Sequence, residues 1–160
     1  MRKTSLLRKT PLKSGKTSLK RTRLNKVGKS PLSKQKQKLW ILCREIIRLK
    51  YGNTCYTCGK QGLEKGNWQT GHFITKSTCS AELAYSLENL RPQCYHCNIN
   101  LSGNWVAFEK RLTAELGKNF VTNLKKRNEE TKGRKYDIFW YGEKIKEYEE
   151  ILLKLQNERR

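Results

Sequence analysis

The chain has 160 residues and carries 35 Lys or Arg against 14 Asp or Glu, so its formal net charge is +21. No run of about 18 apolar residues occurs, which excludes a transmembrane helix, and no amphipathic anchor or lipidation motif favours a membrane surface. The length is typical of one modest domain with appendages, and the charge predicts a polyanionic partner, because basic side chains displace the counterions that condense on nucleic acids.

Residues 1–33 are predicted to form a basic tail. The first 40 residues contain 14 Lys or Arg, the first acidic residue is Glu45, and positions 41–160 keep a net charge of +7. A loose basic–hydroxyl–x–Leu pattern recurs in the tail as KTSL, KTPL, KTSL, RTRL and KSPL. Leucines so widely spaced cannot build a core, so we expect this segment to be disordered when free. It is either a solubilising tail or, as we favour because no acid interrupts it, an arm that follows a phosphate backbone.

A helix is predicted to begin near Ser33, a suitable N-cap, and to stop at Gly52. Its apolar side chains recur at helical spacing and fall largely on one side. They are Leu39, Trp40, Cys43, Ile46, Ile47 and Leu49. Cys43 belongs to this stripe, so we interpret it as a small core residue and not as a metal ligand.

Two CxxC pairs follow in the turn-rich region 53–103, Cys55-Tyr-Thr-Cys58 and Cys94-Tyr-His-Cys97. We expect the chain to act inside the cell, since its basic N-terminus lacks the apolar run of about 7–15 residues that a signal peptide needs. In a reducing compartment such pairs indicate metal binding sooner than disulfides. Each CxxC turn supplies two thiolates, and four thiolates complete the tetrahedron of a structural zinc. The pattern therefore predicts structural zinc at these four cysteines.

Three polar residues are threaded through the predicted zinc site. His72 lies in an apparent strand, NWQTGHFITKS, and Asn89 and Asn98 follow it in the loop that zinc would close. Taken singly, they are more often a structural His, a turn residue and a helix cap. Four thiolates leave zinc no open position, so any catalysis would need a second centre. Of the remaining candidates, Cys79 has no partner at CxxC spacing, and His96, between two ligands, is expected to point outward.

The C-terminal region is predicted to be helical from Asn104 onward. Asn104 can cap a helix that Gly117 ends, a second helix covers about 118–130, and Asp137 caps a long final helix. This last helix has apolar residues at spacings of 3 and 4, a seam of under three heptads. The seam consists of Ile138, Tyr141, Ile145, Tyr148, Leu152 and Leu155. We expect it to pack on its own domain; the alternative is a dimer contact.

The series of His72, Asn89 and Asn98 around four cysteines resembles that of the HNH nucleases, also called His-Me finger or ββα-metal nucleases, in their zinc-stapled form. More closely, the chain resembles the bacteriophage NinG, or Rap, family of recombination endonucleases over roughly residues 38–158. The matching stretches are CYTCG at 55–59, GHF at 71–73, NLRPQCYHCN at 89–98 and SGN at 102–104. The repeat tail lies outside this resemblance.

The resemblance implies a role for each of the three residues. His72 would be the general base that activates water for attack on phosphorus, since its ordinary pKa near 6.5 suits proton removal at neutral pH. Asn89 would brace the hairpin loop and so fix the imidazole. Asn98 would bind a catalytic divalent ion, Mg²⁺ or Mn²⁺, that stabilises charge on the phosphate. The implied substrate is branched DNA in phage recombination, such as a Holliday junction, flap or D-loop, in the host cytoplasm.

Gly71 departs from the pattern of many HNH enzymes. In those enzymes an Asp stands immediately before the catalytic His and binds the metal, whereas the NinG-like pattern also has Gly-His. The carboxylate that would complete the metal site is therefore not identified by the pattern, and the candidates are Glu82, Glu88 and Glu109. We expect metal binding to be weak without DNA.

The predicted fold is α+β, with a small zinc-stapled ββα-metal core between an N-terminal helix and C-terminal helices. We divide the chain into a basic tail (1–33), the helix and HNH core (34–103) and a C-terminal helical region (104–160). A homodimer is compatible with this organisation. The alternative function is a non-catalytic zinc module that binds nucleic acid. A restriction or homing nuclease is disfavoured, since those enzymes usually carry additional sequence-reading modules.

Overall fold

The computed structural model describes residues 29–159, so residues 1–28 of the predicted tail (1–33) lie outside the described residues, whereas residues 31–33 are helical and not part of a tail. Besides three short 3₁₀- or π-helical turns, the regular structure of this part of the chain consists of four α-helices and a two-stranded antiparallel sheet. In chain order they are α1 (Pro31–Tyr51), β1 (Trp68–His72), β2 (Leu90–Cys94), α2 (Trp105–Leu116), α3 (Lys118–Thr131) and α4 (Ile138–Asn157). The predicted α+β class is confirmed as helices around a small antiparallel sheet.

Helix α1 begins two residues earlier than the sequence predicted. Ser30, and not Ser33, is its N-cap: the Ser30 hydroxyl accepts a hydrogen bond from the Ser33 backbone N–H at 3.3 Å. Pro31 follows at the first helical position, where its fixed φ fits the helix and its missing N–H costs nothing. The helix ends at Gly52, as predicted, and this residue has a φ of +70° that glycine adopts without strain.

The two strands form a hairpin whose ends carry different chemistry. Trp68 pairs with Cys94 at one end, and His72 pairs with Leu90 at the other. The second CxxC pair, which begins at Cys94, therefore lies at the open end of the hairpin. His72 lies at the opposite end, where the chain enters the loop between the two strands. The strand is shorter than the predicted NWQTGHFITKS, because beyond His72 the backbone of Ile74 bonds to the Asn89 side chain instead of a strand.

The core is divided into two clusters of buried apolar side chains. The first joins α1 and α4 to the hairpin through residues such as Ile46, Ile145 and Leu90. The second joins the segment after β1 to α2 and α3 through residues such as Phe73 and Phe108. The hairpin thus lies between two helical layers.

The apolar seam of α4 packs on α1 of the same chain, as expected. Tyr141, Ile145 and Tyr148 are buried, and Tyr148 donates a hydrogen bond to the Tyr85 carbonyl at 2.8 Å. The Asp137 carboxylate accepts from the Trp140 N–H at 2.9 Å, which confirms the predicted cap. A dimer would have to use a surface other than the buried middle of this seam. No helix within residues 29–159 is long and apolar enough to span a membrane.

Candidate metal centre and active site

The four cysteines Cys55, Cys58, Cys94 and Cys97 converge in space. Their Sγ atoms all lie within 4.8 Å of one another, and the Sγ atoms of Cys58 and Cys94 are 3.8 Å apart. A tetrahedron with Zn–S bonds of about 2.3 Å has edges of about 3.8 Å. The cluster therefore fits a tetrahedral ion such as zinc, in agreement with the CxxC pattern.

Hydrogen-bond donors surround three of the four sulfurs. Cys55 Sγ lies 3.4 Å from the Thr57 hydroxyl, and Cys94 Sγ accepts from the Cys97 N–H at 3.4 Å. Burial by itself raises the pKa of the Cys55 thiol, but the hydrogen bonds from Thr57 and nearby backbone groups lower it to about 6. Burial raises the pKa of the Cys58 thiol to about 12 and also raises the pKa of the Cys94 thiol, so Cys55 is the member of the cluster whose surroundings favour a thiolate.

Asn104 supplies the third of these donors, to Cys97. Its Nδ2 lies 3.7 Å from Cys97 Sγ. The sequence predicted that Asn104 caps α2, and it does occupy the N-cap position, but its side chain makes no capping hydrogen bond. Its backbone is left-handed, with a φ of +46°, whereas a residue whose side chain caps a helix usually has an extended backbone. Asn104 is a positioning residue of the sulfur cluster that the sequence analysis missed.

His72 ends β1 with its ring held on two sides. Its Nε2 lies 3.0 Å from the Ala84 carbonyl oxygen, which can only accept, so Nε2 must carry the proton. The neutral ring therefore has its free lone pair on Nδ1. The ring of Trp40 stacks on the imidazole, with centroids 5.3 Å apart and planes 7° from parallel. Sequence reasoning missed both contacts, because neither follows from local spacing.

The surroundings of His72 favour its neutral form. Burial lowers the pKa of His72 below its ordinary value of 6.5; the Ala84 carbonyl opposes that shift, and the charge of Lys76 adds to it. Lys76 also lies over the Trp40 ring, with its Nζ 5.4 Å from the ring centroid. At neutral pH this imidazole is a proton acceptor.

Asn89 is fully buried and joins the two sides of the hairpin loop. Its Oδ1 accepts from the Ile74 N–H at 2.7 Å, and its Nδ2 donates to the carbonyls of Ile74 and Leu83, both at 3.1 Å. Its own carbonyl accepts from Phe73 N–H at 2.9 Å. The segment that leaves His72 and the loop that carries Ala84 are therefore fixed to the same residue.

Asn98 lies in a π-helical turn, His96–Asn100, that begins inside the second CxxC pair and contacts β1. It is half-buried, and its carboxamide makes no hydrogen bond to any residue between 29 and 159. A few residues later the chain passes His72: a Cβ on Gly103 would lie 3.9 Å from the His72 carbonyl oxygen. The segment carrying Asn98 thus returns along the strand that ends in His72.

Gln93 explains why glycine stands before His72. A Cβ built on Gly71 would lie 2.5 Å from Gln93 Cδ and still closer to Oε1. The Gln93 Nε2 donates to the Gly103 carbonyl at 2.7 Å and to the Thr57 hydroxyl at 3.2 Å. The same side chain thus links the zinc-type cluster, through Thr57, to the backbone beside His72. Sequence reasoning missed Gln93.

The three carboxylates considered for a catalytic metal are engaged elsewhere. Glu82 and Glu88 both pair with Arg127, at 3.6 and 2.6 Å, and Glu109 pairs with a lysine of α3 at 2.7 Å. Among residues 29–159, only the four cysteines form a convergent group of three or more His, Cys, Asp or Glu. None of the three glutamates forms a ligand group with His72.

The remaining cysteine and histidine predictions can be compared with the structure. Cys43 is buried, its Sγ donates to the Tyr85 carbonyl, and burial raises the pKa of its thiol to about 12, which confirms it as a core residue. His96 is exposed, as predicted. Cys79 is half-buried and lies outside the sulfur cluster.

Comparison with known proteins identifies relatives in bacteriophages. The family model described as "Bacteriophage Lambda NinG protein" matches residues 1–158, so the match includes the basic tail that we expected to lie outside the resemblance. Protein ninG of Escherichia phage lambda is 28% identical over 109 residues, which are 66% of this chain and 48% of that protein. Protein ninG of Escherichia phage 933W is 30% identical over 70 residues, which are 44% of this chain and 33% of that protein.

The chain spans about half the length of the phage lambda relative and a third of the phage 933W relative. No solved structure matches it. Because the family model covers residues 1–158 of 160, the chain belongs to the NinG family of phage lambda.

Proposed function

We propose that this chain is a metal-dependent DNA endonuclease that hydrolyses phosphodiester bonds of branched DNA during phage recombination. Its membership of the NinG family and its net charge of +21 support a phage protein that binds a polyanion. The preference for branches comes from the family resemblance of the sequence. An enzyme of this kind reads DNA shape through backbone contacts, which suits a surface rich in lysine.

The hydrogen bond from His72 Nε2 to the Ala84 carbonyl is the observation that carries the proposal. It selects the tautomer with an unprotonated Nδ1, and the lowered pKa keeps that atom unprotonated at neutral pH. Nδ1 accepts no hydrogen bond from residues 29–159, so it can take a proton from water that attacks phosphorus. His72 is the general base in this scheme.

Asn89 and Trp40 orient this base. Asn89 fixes the loop that carries the Ala84 carbonyl, and Trp40 covers one face of the imidazole. Both contacts restrict the ring to one orientation before DNA binds. A preorganised base needs no rearrangement in the transition state, which is the usual source of catalytic advantage at such sites.

Asn98 would hold the catalytic divalent ion. Its carboxamide oxygen has no partner among the described residues, and Mg²⁺ accepts amide oxygens while it keeps several waters. When bound, the ion supplies stabilisation of the charge on the phosphate and the leaving oxygen. With the three glutamates paired elsewhere, Asn98 would be a single protein ligand, and binding would be weak without DNA phosphates.

The four-cysteine cluster would bind zinc with a structural role. Four sulfurs leave the ion no open position for substrate. The cluster holds Cys94, the last residue of β2, to the loop at Cys55, and so connects the hairpin to the segment before it. Gln93 and Thr57 extend this connection to Gly103, beside His72.

Cleavage of a four-way DNA junction tests the proposal. We expect nicking in Mg²⁺ or Mn²⁺ by the full chain, and loss of nicking with retained junction binding in His72→Ala. The matched control is His96→Ala, which removes the chain's other histidine, an exposed one. Equal nicking by wild type and His72→Ala would overturn the role of His72.

A second candidate is a non-catalytic zinc module that binds nucleic acid. This alternative is favoured by the ion pairs of Glu82, Glu88 and Glu109. Because each of these glutamates pairs with a basic residue, none of the three is available beside His72 as a metal ligand. Junction binding by a wild-type chain that nicks no DNA in any divalent ion would support this module. Symmetrical resolution of a junction needs two nicks, whereas a monomer could nick once. Sedimentation of the chain on a junction would distinguish a homodimer from a monomer.

A further inference from the structure

We propose that the cleft beside Trp105 binds an unpaired nucleobase of a DNA branch. This inference rests on the proposed function, because it names the part of a branched substrate that the protein recognises. A branch point, a flap or a single-stranded end exposes bases that a continuous duplex keeps stacked. Such bases bind aromatic side chains through stacking, whatever their identity.

The cleft has apolar walls and room for a small planar group. Its volume is about 670 Å³, within the range of roughly 300–1,000 Å³ that small-molecule sites occupy. Phe73, Ile74 and Trp105 line it. Trp105 is the first residue of α2 and is 60% exposed, although large aromatic side chains usually contribute their area to a core. An indole at the mouth of an apolar cleft is a stacking surface.

Lysines surround the apolar part of the cleft. Lys125, Lys126 and Lys132 line it from α3 and the turn that follows. Their present partners are surface carboxylates, 2.7 Å from Lys125 and 3.7 Å from the other two. Glu109 and Glu129 also line the cleft, so its lining carries three lysines against two carboxylates. Exposed ion pairs of this kind are worth little, so the lysines can turn from these carboxylates to a phosphate at small cost. A base in the cleft would therefore have its phosphates beside ammonium groups.

The cleft adjoins the candidate active site along the chain. Phe73 directly follows His72, and Asn89 fixes the Ile74 backbone. A nucleotide bound here would contact the segment that leaves His72, on the side of the hairpin that faces α2 and α3. A second copy of this chain is a poorer occupant, because two molecules of charge +21 repel each other across a lysine-lined surface.

Binding of a flap DNA that carries 2-aminopurine at its unpaired position tests the cleft. The zinc-loaded full chain is titrated without Mg²⁺ or Mn²⁺, so cleavage plays no part. We expect Trp105→Ala to weaken flap binding by about 5- to 150-fold, the range that base–aromatic stacking supplies, with little change for continuous duplex. Wild type should change the 2-aminopurine emission, and Trp105→Phe should retain part of the effect.

Phe139→Ala is the matched control, since Phe139 is an aromatic residue of α4, 78% exposed, outside the cleft. Equal flap affinity of Trp105→Ala and wild type would overturn the inference. The inference would also be overturned if Trp105→Ala lost the same affinity for flap and duplex DNA, or if it changed the oligomeric state of the protein and not its DNA affinity. If the wild type prefers flap DNA through Trp105 but nicks no DNA, the base-binding role of the cleft would stand and the proposed endonuclease activity would be rejected.

Discussion

The side chain of Gln93 occupies the space in which any side chain at Gly71 would have to lie. A Cβ on Gly71 would approach Gln93 Cδ to 2.5 Å, far inside ordinary contact distance. The conflict arises in the sheet, where Gly71 pairs with Arg91 and Gln93 pairs with Gln69 on the same face. The absence of Asp before His72 thus has a steric cause in this chain.

Gly71→Ala should destabilise the fold through this contact. We expect a loss of about 1–3 kcal/mol in the free energy of unfolding, as for other overpacked buried sites. Gln93→Ala should also destabilise, because it leaves the Gly103 carbonyl without its donor. The double variant should lose less than the sum of the two, since Gln93→Ala makes room for the new methyl group.

Urea unfolding of the four zinc-loaded proteins measures this coupling as a double-mutant cycle. Gly66→Ala is a suitable control, because nothing lies within 4 Å of a Cβ at that position. Strict additivity of Gly71→Ala and Gln93→Ala would contradict the steric explanation.

The parts of the site that the sequence predicts are those fixed by short-range spacing. A CxxC turn brings two sulfurs together whatever the rest of the fold does, so the cluster of Cys55, Cys58, Cys94 and Cys97 follows from the sequence. The C-terminus of α1 at Gly52 and the N-terminus of α4 at Asp137 likewise follow from the sequence, because the capping preferences of these residue types are local. In contrast, the N-cap of α1 is Ser30 and not the predicted Ser33, because Pro31 is compatible with the first turn and the helix begins there.

The parts that the sequence leaves open depend on how distant elements pack. The contact of Gln93 with Gly71 requires the register of the hairpin, which neither strand specifies alone. The stacking of Trp40 on His72 requires the position of α1, which α4 determines through its buried seam. The Asn104 side chain could equally cap α2 from the same position, and only the structure shows it directed to Cys97.

Asn104→Gly should weaken zinc binding by the cluster. The substitution removes the Nδ2 donor to Cys97 Sγ, while glycine adopts the φ of +46° at this position easily. Loss of a hydrogen bond to a metal ligand typically lowers metal affinity by about 10- to 100-fold. Competition with a chromogenic chelator gives the affinity. Asn100→Gly, in an exposed position nearby, is the control; an unchanged affinity in Asn104→Gly would contradict the contact.

Removal of the metal should destabilise the hairpin. Cys94 ends β2, and its sulfur joins this strand to the loop at Cys55. Because metal binding contributes to folding where the ligands come from separate segments, chelation should lower the melting temperature and the near-UV circular dichroism signal. Cys58→Ser should reproduce this loss, and Cys79→Ser, outside the cluster, should not. A wild type whose melting is insensitive to chelation would exclude a structural metal.

The protonation of His72 should occur below pH 6.5. Burial is the main cause of its lowered pKa, so the folded protein resists protonation while the unfolded chain takes up a proton near its ordinary value. Between the folded pKa and 6.5 the unfolded state binds more protons, so the contribution of His72 to stability is complete above pH 6.5 and decreases as pH falls through that window. If His72 is the general base, cleavage should decrease only below the same lowered pKa.

Trp40→Ala should move this titration to higher pH, because it exposes the imidazole face that the indole covers. Lys76→Gln should also raise the pKa of His72, by a smaller amount that disappears in high salt, since Lys76 is exposed and its charge is screened. The chain has two histidines, so the ring signals in proton NMR spectra can be assigned by comparing the wild type with His72→Gln, which lacks one of them. A His72 titration at or above pH 6.5 in the wild type, or no response to Trp40→Ala, would show that burial under Trp40 does not control this base.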